Sequence, residues 1–230
     1  MIDMSDVRLT LPSRAGPVEI LRGVDLNVNA GEAIGLVGPS GSGKTTLLMV
    51  MAGLEAVTSG AVTIATNDLT VLKEDDLAAF RRDNVGIVFQ AFHLIPTMTA
   101  LENVAVPLEF KGARNAFARA RTQLERVRLG HRLDHYPGQL SGGEQQRVAI
   151  ARALAAGARI LLADEPTGNL DQETGAQIVD LLFGLQREEN ATLVLVTHDP
   201  SLANRCSRVI HMADGRIQQE RHNSLASEPA

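Results

Sequence analysis

The chain is poor in cysteine and in aromatic residues. It contains one cysteine (Cys206), one tyrosine (Tyr136), no tryptophan and six phenylalanines among 230 residues. A single cysteine excludes an internal disulfide and is typical of a reducing compartment. We therefore expect Cys206 to be a small packed side chain with no redox role.

The chain also lacks a long apolar run and an excess of positive charge. No segment approaches the ~20 consecutive apolar residues of a transmembrane helix. The first ten residues, MIDMSDVRLT, include acids and no apolar core of a signal peptide. The formal net charge of −5 argues against a broad nucleic-acid surface. With 44% hydrophobic residues, the chain can bury a core. If it works at a membrane, another chain must supply the span.

The segment GPSGSGKTT lies between an apolar strand-like run, residues 33–37, and a helix-like run, residues 47–52. This is the setting in which G-x-x-x-x-G-K-[ST] indicates phosphate binding. Glycines let backbone N–H groups converge on an anion, and a lysine adds positive charge. A glycine-rich turn with an exposed lysine is the alternative, and chance would produce the pattern in roughly one such chain in a hundred. The predicted phosphate-binding residues are Gly38, Pro39, Ser40, Gly41, Ser42, Gly43, Lys44, Thr45 and Thr46.

Strands alternate with helices along the chain, which predicts a parallel sheet with sites at the carboxyl ends of its strands. Two N-terminal strands are joined by a loop at Pro12–Pro17, and residues 91–157 form a mostly helical lobe. Thr99 and Glu102 fit a helix-capping box. The predicted strands are residues 4–10, 18–29, 33–37, 60–65, 85–89, 160–163, 193–196, 207–212 and 215–219. The predicted helices are residues 47–52, 75–83, 99–108, 113–128, 143–156 and 172–189.

Polar side chains follow three of these strands. Asp164 ends the strand ILLA and offers a carboxylate to Mg²⁺, while Glu165 can orient or deprotonate an attacking water. The alternative is an ordinary acidic loop. Gln90 can complete a Mg²⁺ shell or contact the water, and His198 can hydrogen-bond a γ-phosphate. Thr45, in the P-loop, supplies a hydroxyl to the metal.

The segment LSGGEQQR at residues 140–147 repeats the P-loop design, with a hydroxyl and two glycines at the start of a helix. We therefore expect Ser141, Gly142 and Gly143 to form a second anion site at a helix N-terminus. Because this site has no lysine, we expect it to bind a nucleotide that is held by a second copy of the chain.

With these motifs the chain resembles the ATP-binding cassette (ABC) ATPases, and the resemblance covers essentially residues 4–219. LSGGEQQR matches the family signature, with Walker A at 38–45, the Q-loop at Gln90, Walker B at 160–165, the D-loop at 168–171 and the H-loop at His198. The resemblance implies a P-loop NTPase fold, RecA-like, with an N-terminal antiparallel β subdomain and an inserted α-helical subdomain. It implies one domain at residues 4–220 and a loose tail at 221–230. It also implies ATP and Mg²⁺ as cofactors, a head-to-tail homodimer with ATP at the interface, Glu165 as base and His198 as γ-phosphate sensor.

The segments FQAFHLIPTMTALENVAVPL (89–108), LADEPTGNLD (162–171) and VTHDP (196–200) resemble the lipoprotein-release and macrolide-export ATPases, the LolD and MacB types. The segments around the signature and residues 171–188 are most similar to the YbbA type. This resemblance implies an integral membrane permease partner, a peripheral position on the cytoplasmic face of the inner membrane, and a lipid, lipoprotein or apolar cargo.

Three other functions compete with this one. A regulatory cassette of the cell-division FtsE type would signal through a membrane partner without moving cargo. A DNA-repair or ribosome ABC protein usually has two cassettes, coiled coils or a basic surface, and this chain has none of these. A small-molecule kinase is disfavoured by the signature motif.

Two further expectations concern apolar residues. Family members usually place an aromatic residue in the loop after the first strand, where it stacks on adenine, and here that position falls near Leu11. We expect weak discrimination between ATP and GTP. A set of apolar loop residues is a reasonable seat for a permease helix. Its members are Phe92, Leu94, Ile95, Pro96 and Met98.

Overall fold

A computed structural model describes residues 1–14 and 16–223 of the chain. The chain divides into two compact units, one formed by residues 1–81 with the chain from Thr192 onward, and the other by Arg82–Ala191. The strands are β1 (Ile2–Ser13), β2 (Gly16–Val28), β3 (Ala33–Val37), β4 (Ser59–Ile64), β5 (Asn67–Asp68), β6 (Val85–Phe89), β7 (Ile160–Asp164), β8 (Thr192–Val196), β9 (Arg208–Ala213) and β10 (Arg216–His222). The helices are α1 (Lys44–Met51), α2 (Glu74–Asn84), α3 (Ala100–Phe110), α4 (Ala116–Arg126), α5 (Gly142–Ala155), α6 (Gln172–Glu188) and α7 (Pro200–Ala203), with a 3₁₀ turn at Pro137–Gln139.

The first unit contains an antiparallel sheet in the order β2-β1-β4-β5, which is the predicted β subdomain. Alternate residues of β1 are buried, including Ile2, Met4 and Leu9, as expected for a strand with one face on a core. The predicted loop at Pro12–Pro17 is wrong, because β1 and β2 stay paired out to Ser13 and Gly16. β4 pairs with β1 only as far as Arg8. Beyond that point the edge of β1 that faces β4 is unpaired, so Pro12, which has no N–H group, costs no ladder hydrogen bond on that edge.

The same unit contains strands in the order β10-β9-β3-β8. β3 pairs in parallel with β8 and β9, with Leu36 opposite both Val196 and Ile210. These strands are buried along most of their length, which is typical of parallel strands covered on both faces. Parallel pairing places the carboxyl end of β3, where the P-loop begins, beside the carboxyl end of β8.

The prediction that Cys206 is a packed side chain is confirmed. It is buried, and a Cβ placed on Gly35 of β3 would lie 3.5 Å from its Sγ. Burial raises the pKa of the Cys206 thiol to about 12, so the side chain stays neutral and unreactive at physiological pH.

The second unit holds the parallel pair β6 and β7 together with α3, α4, α5 and α6. Helices α3, α4 and α5 pack on one another, and α5 also packs on β6 and α6. The predicted capping box at Thr99 and Glu102 is present, and α5 begins one residue earlier than predicted. The compact unit extends beyond the predicted lobe of 91–157, since it also includes β6, β7 and α6.

The C-terminal hairpin is longer than predicted. β10 includes Arg221 and His222, which pair with Val209 and Arg208, so the prediction of a loose tail starting at residue 221 is wrong for these two residues. Residues 224–230 of the predicted tail lie outside the described residues. Across residues 1–14 and 16–223, every helix is too short or too polar to cross a bilayer.

Candidate functional site

The P-loop of the first unit depends on glycines with positive φ angles. Gly38, Gly41 and Gly43 have φ values of 150°, 78° and 97°. A Cβ on Gly38 would lie 2.1 Å from the carbonyl oxygen of Met212, a contact that no side chain can make. Gly43 is the N-cap of α1 and provides no side-chain cap, so the first N–H groups of the helix are donors of the kind that bind an anion.

Lys44 folds back over this loop. Its Nζ donates to the carbonyl oxygens of Gly38 at 2.9 Å and of Pro39 at 2.8 Å, and it lies 3.4 Å from Ser42 Oγ. The ammonium group is thereby held at the mouth of the loop, beside the backbone N–H groups that converge there. A polyanion at this position would meet both a point charge and the helix N-terminus.

His198 lies at the same edge of the parallel strands. It follows β8 after Thr197, whose N–H donates to Leu36 O at 3.2 Å and whose Oγ1 accepts from Asp199 N at 3.0 Å. A pocket of about 420 Å³ is lined by Gly38, His198, His211 and Arg221, among others. The first unit therefore brings His198 together with the beginning of the P-loop, as predicted from their positions after strands.

The middle of β2 lies next to the P-loop. The carbonyl oxygen of Ile20 and the side chain of Leu21 are 3.2 Å and 3.1 Å from the position of a Cβ on Gly43. Leu11, which was expected in a loop, lies in β1 opposite Val18. The side chain available near the expected base position is therefore aliphatic and set on a strand.

In the second unit, Gln90 and the acidic pair lie at neighbouring strand ends. Phe89 of β6 pairs with Asp164 of β7, so Gln90 and Glu165 are the next residues of adjacent parallel strands. The Gln90 Nε2 donates to Asn169 Oδ1 at 3.1 Å, and the Asn169 Nδ2 returns a bond to Gln90 O at 3.0 Å. This pair of bonds orients the amide of Gln90 and presents its Oε1 as the acceptor or ligand atom.

Sequence reasoning placed Asn169 only within the D-loop and missed this contact. The two residues are 79 positions apart, and no local pattern joins them. Gly168 is also close to Gln90, since a Cβ on it would lie 2.6 Å from Gln90 Nε2. The position of Gln90 therefore depends on the segment that follows Glu165.

Glu165 has an unusual backbone conformation. Its φ of 48° is in the left-handed region, which costs a non-glycine residue about 1–2 kcal/mol. Pro166 follows directly, and a residue before proline is disfavoured in the right-handed helical region. The Glu165 carbonyl accepts from Gly168 N at 3.0 Å, which closes a turn immediately after the carboxylate. A strained acidic residue at the end of a buried strand is typical of a functional position.

The signature segment forms a capped helix start. Ser141 is the N-cap of α5, and its Oγ accepts from Glu144 N at 3.3 Å while Glu144 Oε2 accepts from Ser141 N at 2.8 Å. The pKa of the Glu144 carboxyl lies below its usual value. The main cause is the hydrogen bond from the Ser141 N–H, and the Arg132 guanidinium, 2.9 Å from Glu144, lowers the pKa further. Ser141 itself is exposed, so its hydroxyl is accessible at the N-terminus of the helix.

The glycines of the signature segment are packed against the segment that follows Glu165. A Cβ on Gly143 would lie 2.5 Å from Thr174 Cγ2, and a Cβ on Gly142 would lie 3.2 Å from Leu170 Cδ2. Thr174 is in the first turn of α6, where its N–H is capped by Asp171. The absence of a side chain at Gly143 is therefore required by the fold of the same subunit, whatever binds at the helix N-terminus.

The donor set fits Mg²⁺ bound together with a nucleotide. Within residues 1–14 and 16–223, no group of three His, Cys, Asp or Glu side chains could hold a metal ion unaided. Mg²⁺ prefers oxygen ligands and commonly combines one or two carboxylates with phosphate oxygens and water. In the second unit, Asp164 and Gln90 each offer an oxygen of this kind at neighbouring strand ends, which suits a shell that is completed by phosphates.

The apolar loop after Gln90 is held by two polar residues. Asn103 is fully buried and bonds the backbone of Ile95, Met98 and Thr99, with its Oδ1 accepting from Ile95 N at 2.8 Å. Arg152 donates to the carbonyl oxygens of Phe92 and His93. The side chains of the predicted set remain half-buried or exposed, so the loop is an ordered surface with apolar groups.

Comparisons with known proteins agree with this geometry. Residues 21–168 match the family model described as "ABC transporter". The chain is 52% identical over 205 residues to an uncharacterised ABC transporter ATP-binding protein, YbbA, of Escherichia coli K12, covering 88% of this chain and 90% of the relative. It is 47% identical over 219 residues to the lipoprotein-releasing system ATP-binding protein LolD of Geobacter metallireducens, covering 94% and 97%.

A similar match extends to the macrolide export ATP-binding/permease protein MacB of E. coli K12, at 42% identity over 94% of this chain and 34% of that protein. Among solved structures, the ATP-binding cassette MJ0796, a dimer in a post-hydrolysis state bound to ADP and Pi, superposes with a TM-score of 0.89 at 42% identity. That match covers 96% of this chain and 98% of the other.

Proposed function

Because the chain belongs to the ABC transporter family and is one of its ATP-binding, ATP-hydrolysing cassettes, we propose that it is the subunit that drives a membrane permease by closing as a homodimer on ATP. The observation that carries this proposal is the presence of two glycine-rich helix N-termini in one chain, α1 with a lysine and α5 without. A cassette with both needs a second copy to complete each nucleotide site. We treat residues 4–220 as one such domain.

In this proposal the phosphates of ATP lie on Gly38–Thr46 of one subunit and against Ser141–Gly143 of the other. The dimeric MJ0796 structures support a paired arrangement for a cassette of this kind. The backbone N–H groups and Lys44 bind the polyanion, and the hydroxyl of Ser141 contacts it from the partner's side.

The remaining groups act on hydrolysis. Glu165 orients the attacking water and accepts its proton, and His198 hydrogen-bonds the γ-phosphate. Thr45, Asp164 and Gln90 would hold Mg²⁺, which neutralises charge on the phosphates when it is bound. Gln90 also links this site to the apolar loop that follows it, and we propose that permease movement is communicated through that link.

The substitution Glu165→Gln tests the catalytic part. It keeps the shape of the side chain and removes the base, so we expect hydrolysis to fall by about 10²–10⁴-fold and the closed ATP dimer to accumulate. Turnover and dimer fraction, the latter by size-exclusion chromatography with light scattering, measure the two effects. Glu173→Gln, an exposed acid in the first turn of α6, is the matched control. Near-normal turnover in Glu165→Gln would remove Glu165 as the base.

The membrane partner is proposed to dock on the apolar loop of Phe92, Leu94, Ile95, Pro96 and Met98, at the cytoplasmic face of the inner membrane. A charge at Leu94 or Met98 should release the permease while nucleotide binding persists. Val71→Asp, at an apolar residue that is 73% exposed in the other compact unit, is the control. Co-purification of the membrane partner is the measurement, and unchanged association of Leu94→Asp and Met98→Asp would contradict the docking site.

The similarity to LolD and MacB favours a lipid, lipoprotein or apolar cargo. A transport assay in vesicles containing the co-purified partner tests this, since hydrolysis without cargo movement would instead indicate a signalling cassette.

Base selectivity should be weak, because Leu11 lacks the stacking that is worth on the order of 1–3 kcal/mol per base. Competition of ATP against GTP measures it, and a 100-fold or greater preference for ATP would contradict the expectation.

A further inference from the structure

One buried glutamine joins the signature helix to the chain that follows Glu165. The Gln146 side chain, in the second turn of α5, is fully buried, and its Nε2 donates to the carbonyl oxygen of Pro166 at 2.7 Å. The two residues are 20 positions apart and lie on different elements of the same compact unit. This is a direct bond between the helix that begins at Gly142 and the residue next to Glu165.

The orientation of this amide is fixed by chemistry. Rotating it would place Gln146 Oε1 against the Pro166 carbonyl, which is also an acceptor, so only the N–H₂ group can face Pro166. In the part of the chain that the structure describes, Oε1 has no hydrogen-bond partner. A buried acceptor without a partner lowers stability, so a glutamine here is costly for the fold and its donor must be what matters.

The bond acts next to a residue with a strained backbone. Pro166 is buried and directly follows Glu165, whose φ is 48°. The turn closed by Gly168 N and Glu165 O accounts for the local shape, but it ties Glu165 only to its own segment. The Gln146 bond ties this turn to a helix.

We propose that Gln146 is a positioning residue that fixes Glu165 against the signature helix of its own subunit. The inference rests on the proposed ATP-closed dimer, in which Ser141–Gly143 meet the partner's nucleotide. Closure on the partner's ATP then sets the position of the subunit's own base, because α5 contacts one nucleotide at its N-terminus and holds Pro166 one turn later.

Gln146→Met tests this, since methionine has a similar volume and removes both the donor and the unpaired Oε1. We expect kcat to fall about tenfold or more with KM for ATP within about twofold, the pattern of a lost transition-state contribution. The melting temperature should change little. Gln186→Met is the matched control, because Gln186 is a buried glutamine of α6 whose Nε2 donates to Ala191 O, also at 2.7 Å. It should keep kcat, which would show that the loss of kcat in Gln146→Met is not the general effect of removing a buried amide.

Gln146→Glu gives a second readout. A protonated carboxyl group can donate to Pro166 O, whereas a carboxylate cannot, and burial raises the pKa of such a group. We expect its kcat relative to wild type to rise as the pH falls from 8 to 6. A ratio that is flat with pH would count against the donor role.

The dimer is examined separately in the Glu165→Gln background. With Gln146→Met added, the ATP-dependent dimer should form as in Glu165→Gln alone, because the positioned group is already absent. If Glu165→Gln alone fails to dimerise, the proposed function fails, while the kcat comparison of Gln146→Met with Gln186→Met still stands. Unchanged kcat in Gln146→Met, or loss of the dimer in the double variant, would overturn the positioning role.

Discussion

The N-termini of α1 and α5 are both built from glycine-rich segments, yet they are stabilised in different ways. α5 has a serine N-cap, a complete capping box and an acid, Glu144, in its first turn. α1 has a glycine N-cap at φ 97°, no side-chain cap, no acid in its first turn, and Lys44 at its first position. A negative charge near a helix N-terminus is favourable and a positive charge there is not.

The difference indicates which end depends on a ligand. At the start of α5 the N–H groups of Ser141 and Glu144 are bonded by side chains of the capping box, so this helix start can form without an anion. α1 has no side-chain cap, and its first residue is a lysine whose charge is met in this structure by the carbonyl oxygens of Gly38 and Pro39, an arrangement that a bound polyanion would stabilise further. This difference supports the proposal that the N-terminus of α1 is the primary nucleotide site and that the N-terminus of α5 completes a site held by a second copy.

The largest expected effect is that of Gly38→Ala. Its Cβ would meet the backbone oxygen of Met212, and its φ of 150° is unfavourable for alanine, so we expect a loss of about 2–5 kcal/mol together with nucleotide binding. Gly41→Ala is the control, because it has a positive φ but nothing within 4 Å, and should cost about 1–2 kcal/mol. Thermal unfolding and titration with a fluorescent nucleotide measure both. Equal losses of stability in Gly38→Ala and Gly41→Ala would show that the backbone at Met212 shifts to make room for the added Cβ.

Lys44→Ala should come next. Removing a charged donor from the ground-state site should weaken nucleotide affinity by roughly 10- to 100-fold. Lys73→Ala, an exposed lysine of the same compact unit, should leave affinity unchanged. A Lys44 variant with full affinity and lost turnover would instead make the lysine a transition-state group, and the contrast between the two helix ends would be weaker.

Gly143→Ala should destabilise the second unit by about 1–3 kcal/mol, because its Cβ would lie 2.5 Å from Thr174 Cγ2. The double variant Gly143→Ala with Thr174→Ser removes that methyl group and should recover most of the stability. Urea unfolding measures this. If stability recovers but hydrolysis does not, the glycine is also needed by the nucleotide; if stability does not recover, the contact with Thr174 is not the cause.

The smallest effect concerns Glu144. Its folded pKa lies below the ordinary value of 4.5, so its contribution is present above that value and is lost as the pH falls through the folded pKa. Glu144→Gln should cost about 0.5–1 kcal/mol at pH 7 and progressively less as the pH falls below 4.5. Urea unfolding of both proteins from pH 7 downward measures the difference, and a gap that does not narrow as the pH falls would contradict a charge-dependent cap.

Much of the fold could be predicted because its signals are local. The capping box at Thr99, the helix α6 and the buried strands β3, β6 and β8 follow from spacing within a few residues. The strand ends at Pro12 and Arg221 could not be predicted, since a strand continues for as long as a neighbour pairs with it. That neighbour is set by the sheet, not by the local residues.

The sequence by itself determined the P-loop, the signature segment and the polar residues that follow the strands, because each depends on residue types at fixed local spacing. Only the tertiary structure decided that Gly38 faces Met212, that Gln90 is oriented by Asn169 and that Gln146 bonds to Pro166. The partners in these three pairs are between 20 and 174 residues apart in the sequence. A buried amide has no local preference for one carbonyl group over another, so the fold decides which one it bonds. For this protein, sequence defines the groups that we propose to contact a nucleotide, and packing defines how those groups are held.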